Sequence, residues 1–152
     1  WHHDQPYYCV DGNQLVSSWV PLDYVSQESA MRFLSGSHKG PMYAPRRFVD
    51  HAPYEYDGFE DLPNIDEEKE SSKIRSWEMN PGDVLFFHMR TLHAAGGSST
   101  RRRAFSARWL GDDAVYAIRP GPTSPPFPEL DGVMHEGDPF DHPLFPLISG
   151  DS

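Results

Sequence analysis

The sequence has one cysteine, no long apolar run and few basic residues, and each shortage excludes a class of protein. Cys9 has no partner for an internal disulfide, which excludes a disulfide-stapled scaffold and fits a reducing, cytoplasmic setting. No run approaches the about 18 consecutive apolar residues that mark a membrane-spanning helix. The 13 Lys and Arg residues against 23 Asp and Glu leave a net charge of −10, which argues against binding to nucleic acid or to an anionic membrane.

Long helix-periodic segments are also scarce, while 15 prolines and 12 glycines favour a β-rich fold with many turns. At 152 residues the chain is expected to form a single domain, residues 1–152. Six or seven short segments are predicted to be strands, among them 1–8, 15–22, 31–34 and 102–110, and without long helices they favour a sandwich, jelly roll or barrel. Residues 40–72 show no period and are predicted to be an insertion or lid. Residues 120–152 are proline-rich and are predicted to be a tail that wraps over the body.

The first four residues, Trp-His-His-Asp, contain a candidate metal motif. In an extended strand His2 and Asp4 point to the same face, because side chains two apart share a face. An imidazole and a carboxylate together are two thirds of the two-His, one-carboxylate triad that holds non-haem Fe(II). Because the chain starts at this motif and with Trp1 rather than Met, we expect it to be the C-terminal piece of a longer protein that lacks its N-terminal part.

Three further motifs follow in order. Gly36-Ser37-His38 is a turn by composition, the run 81–87 reads Pro-Gly-Asp-Val-Leu-Phe-Phe and leads toward His93, and Arg102-Arg103-Ala104-Phe105-Ser106 comes next. With the Trp-His-x-Asp start, this ordered set resembles the distal half of the phytanoyl-CoA dioxygenase family over about residues 1–120. The resemblance implies an all-β-dominated, double-stranded β-helix fold, a cupin-like jelly roll.

The resemblance also implies a chemistry. Fe(II) would be bound by His2, Asp4 and His93, and 2-oxoglutarate and molecular oxygen would take the remaining positions on the metal. The implied reaction is oxidative decarboxylation of 2-oxoglutarate to succinate and CO2, coupled to hydroxylation of an unactivated C–H bond in a small-molecule substrate. Related halogenases have a small residue in place of the metal carboxylate, so Asp4 favours hydroxylation.

Three more residues are expected to bind the co-substrate. Arg102 lies where the family places the arginine that holds the far carboxylate of 2-oxoglutarate, and its planar fork suits a carboxylate. Arg101 and Arg103 fall on the opposite face of the predicted strand 102–110. Ser106 shares the face of Arg102 and could add a hydrogen bond, and Ser17 matches a position that helps to hold the co-substrate in relatives.

Two other functions remain open at this point. A cupin-type metal oxygenase or isomerase would have the same fold and metal but no 2-oxoglutarate, and Arg102 argues against it because such an enzyme has no need of that residue. A degenerate jelly roll acting as a non-catalytic binding module would not require the intact His2, Asp4 and His93. The sequence does not indicate which small molecule is the substrate.

Overall fold

The computed structural model describes residues 1–47, 52, 54, 58–65, 73–98 and 101–148. Within these residues the regular structure is almost all β, with no α-helix. The eight strands are β1 Val10–Asp11, β2 Leu15–Pro21, β3 Met31–Leu34, β4 Ile74–Ser76, β5 Leu85–His88, β6 His93–Ala95, β7 Ala104–Leu110 and β8 Val115–Tyr116. Three single-turn 3-10 helices lie at Gln5–Tyr7, Ser37–Lys39 and Pro128–Leu130. The β-dominated fold class predicted from the sequence is confirmed.

The strands form two three-stranded antiparallel sheets and one two-stranded ribbon. β2 lies between β5 and β7, β3 lies between β4 and β6, and β1 pairs with β8. The rings of Phe33 on β3 and Phe87 on β5 lie 4.9 Å apart, so the two larger sheets face each other there. Both rings also contact the imidazole of His93, at 5.9 Å and 4.9 Å between centroids. The first residue of β6 therefore lies between the two sheets.

The pairing register brings together residues far apart in the sequence. Ser17 at the centre of β2 faces Arg108 on β7 and Phe87 on β5. Side chains of directly paired residues point to the same face of a sheet. Ser17 and Arg108 therefore share the face that the second sheet covers.

The predicted tail contains part of the hydrophobic core. Leu130 is fully buried and packs with Met134, Cys9 and Tyr116, and three phenylalanines cover this cluster: Phe127, Phe140 and Phe145. Leu130 belongs to a 3-10 turn rather than to a helix or strand, so no hydrophobic periodicity in the sequence indicates that it is buried.

The described part of the predicted insertion at 40–72 packs against the same body. Ile65 is buried beside Leu34 and Leu92, and Tyr43 forms an isolated parallel bridge with Glu60. Residues 48–51, 53, 55–57 and 66–72 lie outside the described residues. A role as a lid therefore stays a prediction.

The strand predicted at residues 1–8 is wrong. Only His2 has a β-bridge, with His93, and Asp4 already has helical angles of φ −73° and ψ −41° before the turn Gln5–Tyr7. Pro6 explains the difference, because its ring fixes φ near −65° and removes the N–H that a strand ladder needs. A smaller difference is that β7 begins at Ala104, two residues after the start of the predicted strand 102–110.

The part of the chain that the structure describes has no helix both long and apolar enough to cross a membrane.

Candidate metal centre

Three potential metal ligands converge where the start of the chain meets β6. Asp4 Oδ1 lies 3.9 Å from His2 Nε2 and 3.6 Å from His93 Nε2, and one ligand atom from each residue lies within 4.8 Å of the other two. The backbone holds this arrangement: His2 N–H donates to His93 O at 3.0 Å, and His93 N–H donates to His2 O at 2.8 Å. Asp4 N–H donates to Met89 O at 2.8 Å, which positions the carboxylate beside the two imidazoles.

The two oxygens of Asp4 have different surroundings. Oδ2 accepts a hydrogen bond from Ser17 Oγ at 2.5 Å and pairs with Arg108 Nη2 at 2.9 Å. Oδ1 is the oxygen that faces both imidazole Nε2 atoms. Because Oδ2 is held by two donors, the carboxylate presents a single, oriented oxygen to the cluster.

His93 is oriented by its other nitrogen. Its Nδ1 lies 2.9 Å from the carbonyl oxygen of Thr91, and a carbonyl only accepts, so Nδ1 carries the proton and donates. The lone pair of Nε2 then points at the cluster. A carbonyl behind the imidazole is the usual arrangement for metal-binding histidines, because it fixes both tautomer and ring orientation.

Both imidazoles are neutral at neutral pH. Burial, together with the neighbouring His93, lowers the pKa of His2 to about 3. Burial also lowers the pKa of His93 below its usual value, although Asp4 opposes this. The contacts with Asp4 are therefore polar contacts rather than ion pairs, and neutral imidazole is the form that binds a metal.

This donor set fits Fe(II). Two imidazole nitrogens and one carboxylate oxygen, grouped on one side, are the ligands of the facial triad of non-haem iron oxygenases, which leaves the opposite positions open. A cavity of about 190 Å³ adjoins the cluster. Its lining residues are His2, Asp4, Tyr7, Tyr8, Arg108 and Ser124.

Ser17 and Ser106 lie near the cluster and make contacts within the protein, while their contact with the co-substrate stays a prediction. Ser17 is fully buried and its hydroxyl donates to Asp4 Oδ2. Ser106 Oγ donates to Ser18 O at 3.2 Å and accepts from Arg108 Nη1 at 2.5 Å. Each serine therefore supports the carboxylate of Asp4, one directly and one through Arg108.

The three consecutive arginines separate as the alternation predicts. Arg103 forms a two-pronged ion pair with Asp23, with Nη2 2.8 Å and Nε 3.0 Å from the carboxylate, and Arg101 lies 3.9 Å from the same group. Arg102 is half-buried and donates instead to the backbone oxygen of Ser29 at 2.6 Å.

Arg108 is the residue that the sequence reasoning missed. It is the arginine in contact with Asp4, and its Cζ lies 5.1 Å from the centroid of the Tyr8 ring. The signal was present in the sequence, because Arg102, Ser106 and Arg108 are an even number of residues apart on one strand and so share a face. The prediction stopped at Ser106.

Comparison with known proteins agrees with this geometry. The sequence profile of the family described as phytanoyl-CoA dioxygenase (PhyH) matches residues 1–104. A probable alpha-ketoglutarate-dependent hypophosphite dioxygenase of Stutzerimonas stutzeri is 33% identical over an alignment of 110 residues, and the match covers 69% of this chain and 36% of that protein. The peroxisomal phytanoyl-CoA dioxygenase of Bos taurus is 25% identical over an alignment of 125 residues, and the match covers 76% of this chain and 34% of that protein.

Solved structures show the same fold. The non-heme alpha ketoglutarate dependent carbocyclase SnoK from nogalamycin biosynthesis superposes with a TM-score of 0.64 at 25% identity, over 97% of this chain and 54% of SnoK. The epimerase SnoN from the same biosynthesis superposes with a TM-score of 0.59 at 24% identity, over 97% and 53%. The chain spans about a third of the length of the curated relatives it matches. The family profile covers well over half of the residues, and the chain belongs to the phytanoyl-CoA dioxygenase family.

Proposed function

We propose that the chain carries the metal and co-substrate site of an Fe(II)- and 2-oxoglutarate-dependent dioxygenase that hydroxylates an unactivated C–H bond of a small molecule. The observation that carries this proposal is the convergence of His2, Asp4 and His93, with one oriented ligand atom from each residue. The family supports the same chemistry, since three of the similar proteins are described as alpha-ketoglutarate-dependent.

In this proposal His2 Nε2, Asp4 Oδ1 and His93 Nε2 are the metal ligands. Iron held by these three residues would supply the activation of oxygen that is coupled to decarboxylation of 2-oxoglutarate, a chemistry that side chains alone do not provide. Ser17 and Arg108 keep Oδ2 of Asp4 occupied, which prevents the carboxylate from rotating. Thr91 keeps the proton of His93 on Nδ1, so that Nε2 stays available. These contacts hold the ligands in place before the metal arrives.

Arg102 is proposed to bind the far carboxylate of 2-oxoglutarate. Its contact with Ser29 uses one of the five N–H groups of a guanidinium, which leaves donors for a two-pronged contact with a carboxylate. Arg108 is unsuited to this task because it touches Asp4 directly, whereas the far carboxylate of a five-carbon diacid lies several bonds beyond the end that chelates the metal. Ser106 lies between the two arginines in the sequence and is proposed to add a hydrogen bond to the co-substrate.

Succinate formation tests the proposal. The protein is supplied with Fe(II), ascorbate and 2-oxoglutarate under air, and succinate is measured with and without a library of small metabolites. We expect Fe(II)-dependent succinate formation that one class of metabolite stimulates and that His93→Ala abolishes. Metal binding without 2-oxoglutarate binding would instead indicate a cupin-type metal enzyme. A protein that binds neither would be a binding module.

A further inference from the structure

The cavity beside the metal centre carries a charge that the proposed chemistry does not use. Of the six described residues that line it, Arg108 alone is a cation. The guanidinium is held at the cavity wall, with 21% of the side chain exposed. Tyr8 and Ser124 add hydroxyl-bearing side chains to the same wall.

The contacts of Arg108 leave it with donor capacity. Nη2 pairs with Asp4 Oδ2, and Nη1 donates to Ser106 Oγ and, at 3.4 Å, to Ala107 O. A guanidinium has five N–H groups, two of them on Nη2, and the contact with Asp4 uses one of those two. The Tyr8 ring lies against the guanidinium, with its centroid 5.1 Å from Arg108 Cζ, which is within the range of a cation–π contact. Arg108 is therefore a fixed cation with an Nη2 N–H group that its contact with Asp4 does not use.

The charge balance of the loaded site favours an anion next to Arg108. Without metal, the negative charge of Asp4 and the positive charge of Arg108 offset each other, and histidine ligands bind metals in the neutral form. Fe(II) adds two positive charges, and the chelating carboxylate of 2-oxoglutarate removes one. The far carboxylate has its own arginine in Arg102. One positive charge remains in a partly enclosed cavity, where an unpaired charge is costly.

We propose that Arg108 binds an anionic group of the substrate, a carboxylate or a phosphate-type oxoanion, in the cavity beside the metal centre. This inference rests on the proposed function, because the cavity is a substrate site only if the metal centre is one. It narrows the substrate to small molecules with a negative charge close to the carbon that reacts. A role of Arg108 confined to holding Asp4 is the competing account.

Calorimetry on a loaded but inactive protein separates the two accounts. Mn(II) replaces Fe(II) so that no turnover occurs, and 2-oxoglutarate is held at saturation. The titrants are butyrate, methylphosphonate and butyramide, the last being a neutral molecule with nearly the shape of butyrate. We expect at least one of the anions to bind about tenfold or more tightly than butyramide. The anion that binds better identifies the group, carboxylate or phosphonate.

Three variants assign that preference to a residue. Arg108→Gln removes the charge and should erase the difference between anion and amide, whereas Arg108→Lys keeps the charge without the fork and should retain part of it. Arg103→Gln is the matched control, since this exposed arginine pairs with Asp23, and it should leave the preference unchanged. Mn(II) occupancy, measured by electron paramagnetic resonance, confirms that each variant is loaded.

Two results would overturn the inference. Equal binding of anions and butyramide by the parent protein would show that the cavity does not select charge. A preference that survives in Arg108→Gln would place the anion on the metal alone and leave Arg108 as a positioning residue for Asp4. Failure of the proposed function looks different, because the parent would then fail to bind Mn(II), 2-oxoglutarate or both before any titrant is added.

Discussion

The metal centre and the cluster around the C-terminal tail are both buried, but the first consists of polar side chains and the second of apolar ones. The centre consists of polar groups, Asp4, Ser17 and His93 among them, each buried and each hydrogen-bonded. The tail cluster joins Leu130 and Met134 to apolar partners from the start of the chain and from β8.

The difference shows where stability and function are located. Burying a polar group is costly unless it is hydrogen-bonded, so the hydrogen bonds of the metal centre mainly offset the cost of burial and add little net stability. Their main effect is to orient the ligand atoms of Asp4 and His93. A fully buried leucine contributes about 1.5–3 kcal/mol by its removal from water alone. The fold should therefore tolerate changes at the centre better than function does, and the reverse should hold at the tail cluster.

The largest expected effect is on metal affinity. Asp4→Ala removes the only carboxylate of the proposed ligand set and should weaken Mn(II) or Fe(II) binding by far more than 100-fold. Ser17→Ala removes only a hydrogen bond to Oδ2 and should weaken it by about 10–100-fold, as is typical of groups behind the ligands. Metal titration of both variants measures this. Equal affinities for Asp4→Ala and the parent would remove Asp4 from the ligand set.

The next effect concerns the co-substrate. Arg102→Ala should leave metal affinity nearly unchanged and weaken 2-oxoglutarate binding by about 3–5 kcal/mol, because a buried carboxylate would lose its partner. Arg102→Lys should fall between, since a point charge cannot reproduce the fork. Succinate formation against 2-oxoglutarate concentration measures both.

Arg101→Ala and Arg103→Ala are the controls for Arg102, and they should matter much less because both side chains pair with Asp23. If either control raised the 2-oxoglutarate requirement while Arg102→Ala did not, the co-substrate assignment would move to that neighbour. If none of the three changed it, 2-oxoglutarate itself would be the wrong co-substrate.

In the tail cluster a substitution should reduce stability and leave metal affinity nearly unchanged. Leu130→Ala leaves a cavity among Cys9, Tyr116 and Met134 and should lower the free energy of unfolding by about 2–5 kcal/mol. The metal dissociation constant of the folded variant should stay within a few-fold of the parent. Urea unfolding and metal titration together test this. A large loss of metal affinity at unchanged stability would mean that the two regions are coupled.

The smallest expected effect is a dependence of stability on pH in the metal-free protein. Burial lowers the pKa of His2 to about 3 and that of His3 to about 4, against about 6.5 in an unfolded chain. Below pH 6.5 the unfolded state therefore binds more protons than the folded state, and stability falls as the pH drops toward 4. Each group contributes at most about 1.4 kcal/mol per pH unit.

Urea unfolding at several pH values measures this slope. His2→Gln should reduce it, because one of the buried imidazoles with a lowered pKa is gone. His135→Gln is the control, since that side chain is 77% exposed, and it should leave the slope as it is. A slope that His2→Gln does not change would show that His2 titrates alike in the folded and unfolded states.

Local patterns predicted some elements well. Alternation predicted β2 to within a residue, and β3 lies at residues 31–34 as predicted, because both are short strands with one inward face. The same reasoning failed at residues 1–8, where a single proline outweighs the aromatic content. It also missed the burial of Leu130, because this residue lies in a 3-10 turn, where the sequence shows no hydrophobic periodicity.

The sequence by itself determined the available chemistry. The family, and with it an iron and 2-oxoglutarate chemistry, is indicated by the spacing of His2 and Asp4 and by the ordered motifs up to Arg102. The types of ligand residue and their order are properties of the sequence itself. It also separated Arg102 from its two neighbours, because alternation along a strand is a local property.

Only the tertiary structure decided how those groups meet. The pairing of β2 with β7 puts Arg108 opposite Ser17, and both then hold the same oxygen of Asp4, so that the other oxygen faces the imidazoles. The burial that keeps His2 and His93 neutral arises in the same way, from the packing of elements distant in sequence. Register and burial depend on contacts between such elements, and no local pattern records which residues those contacts will join.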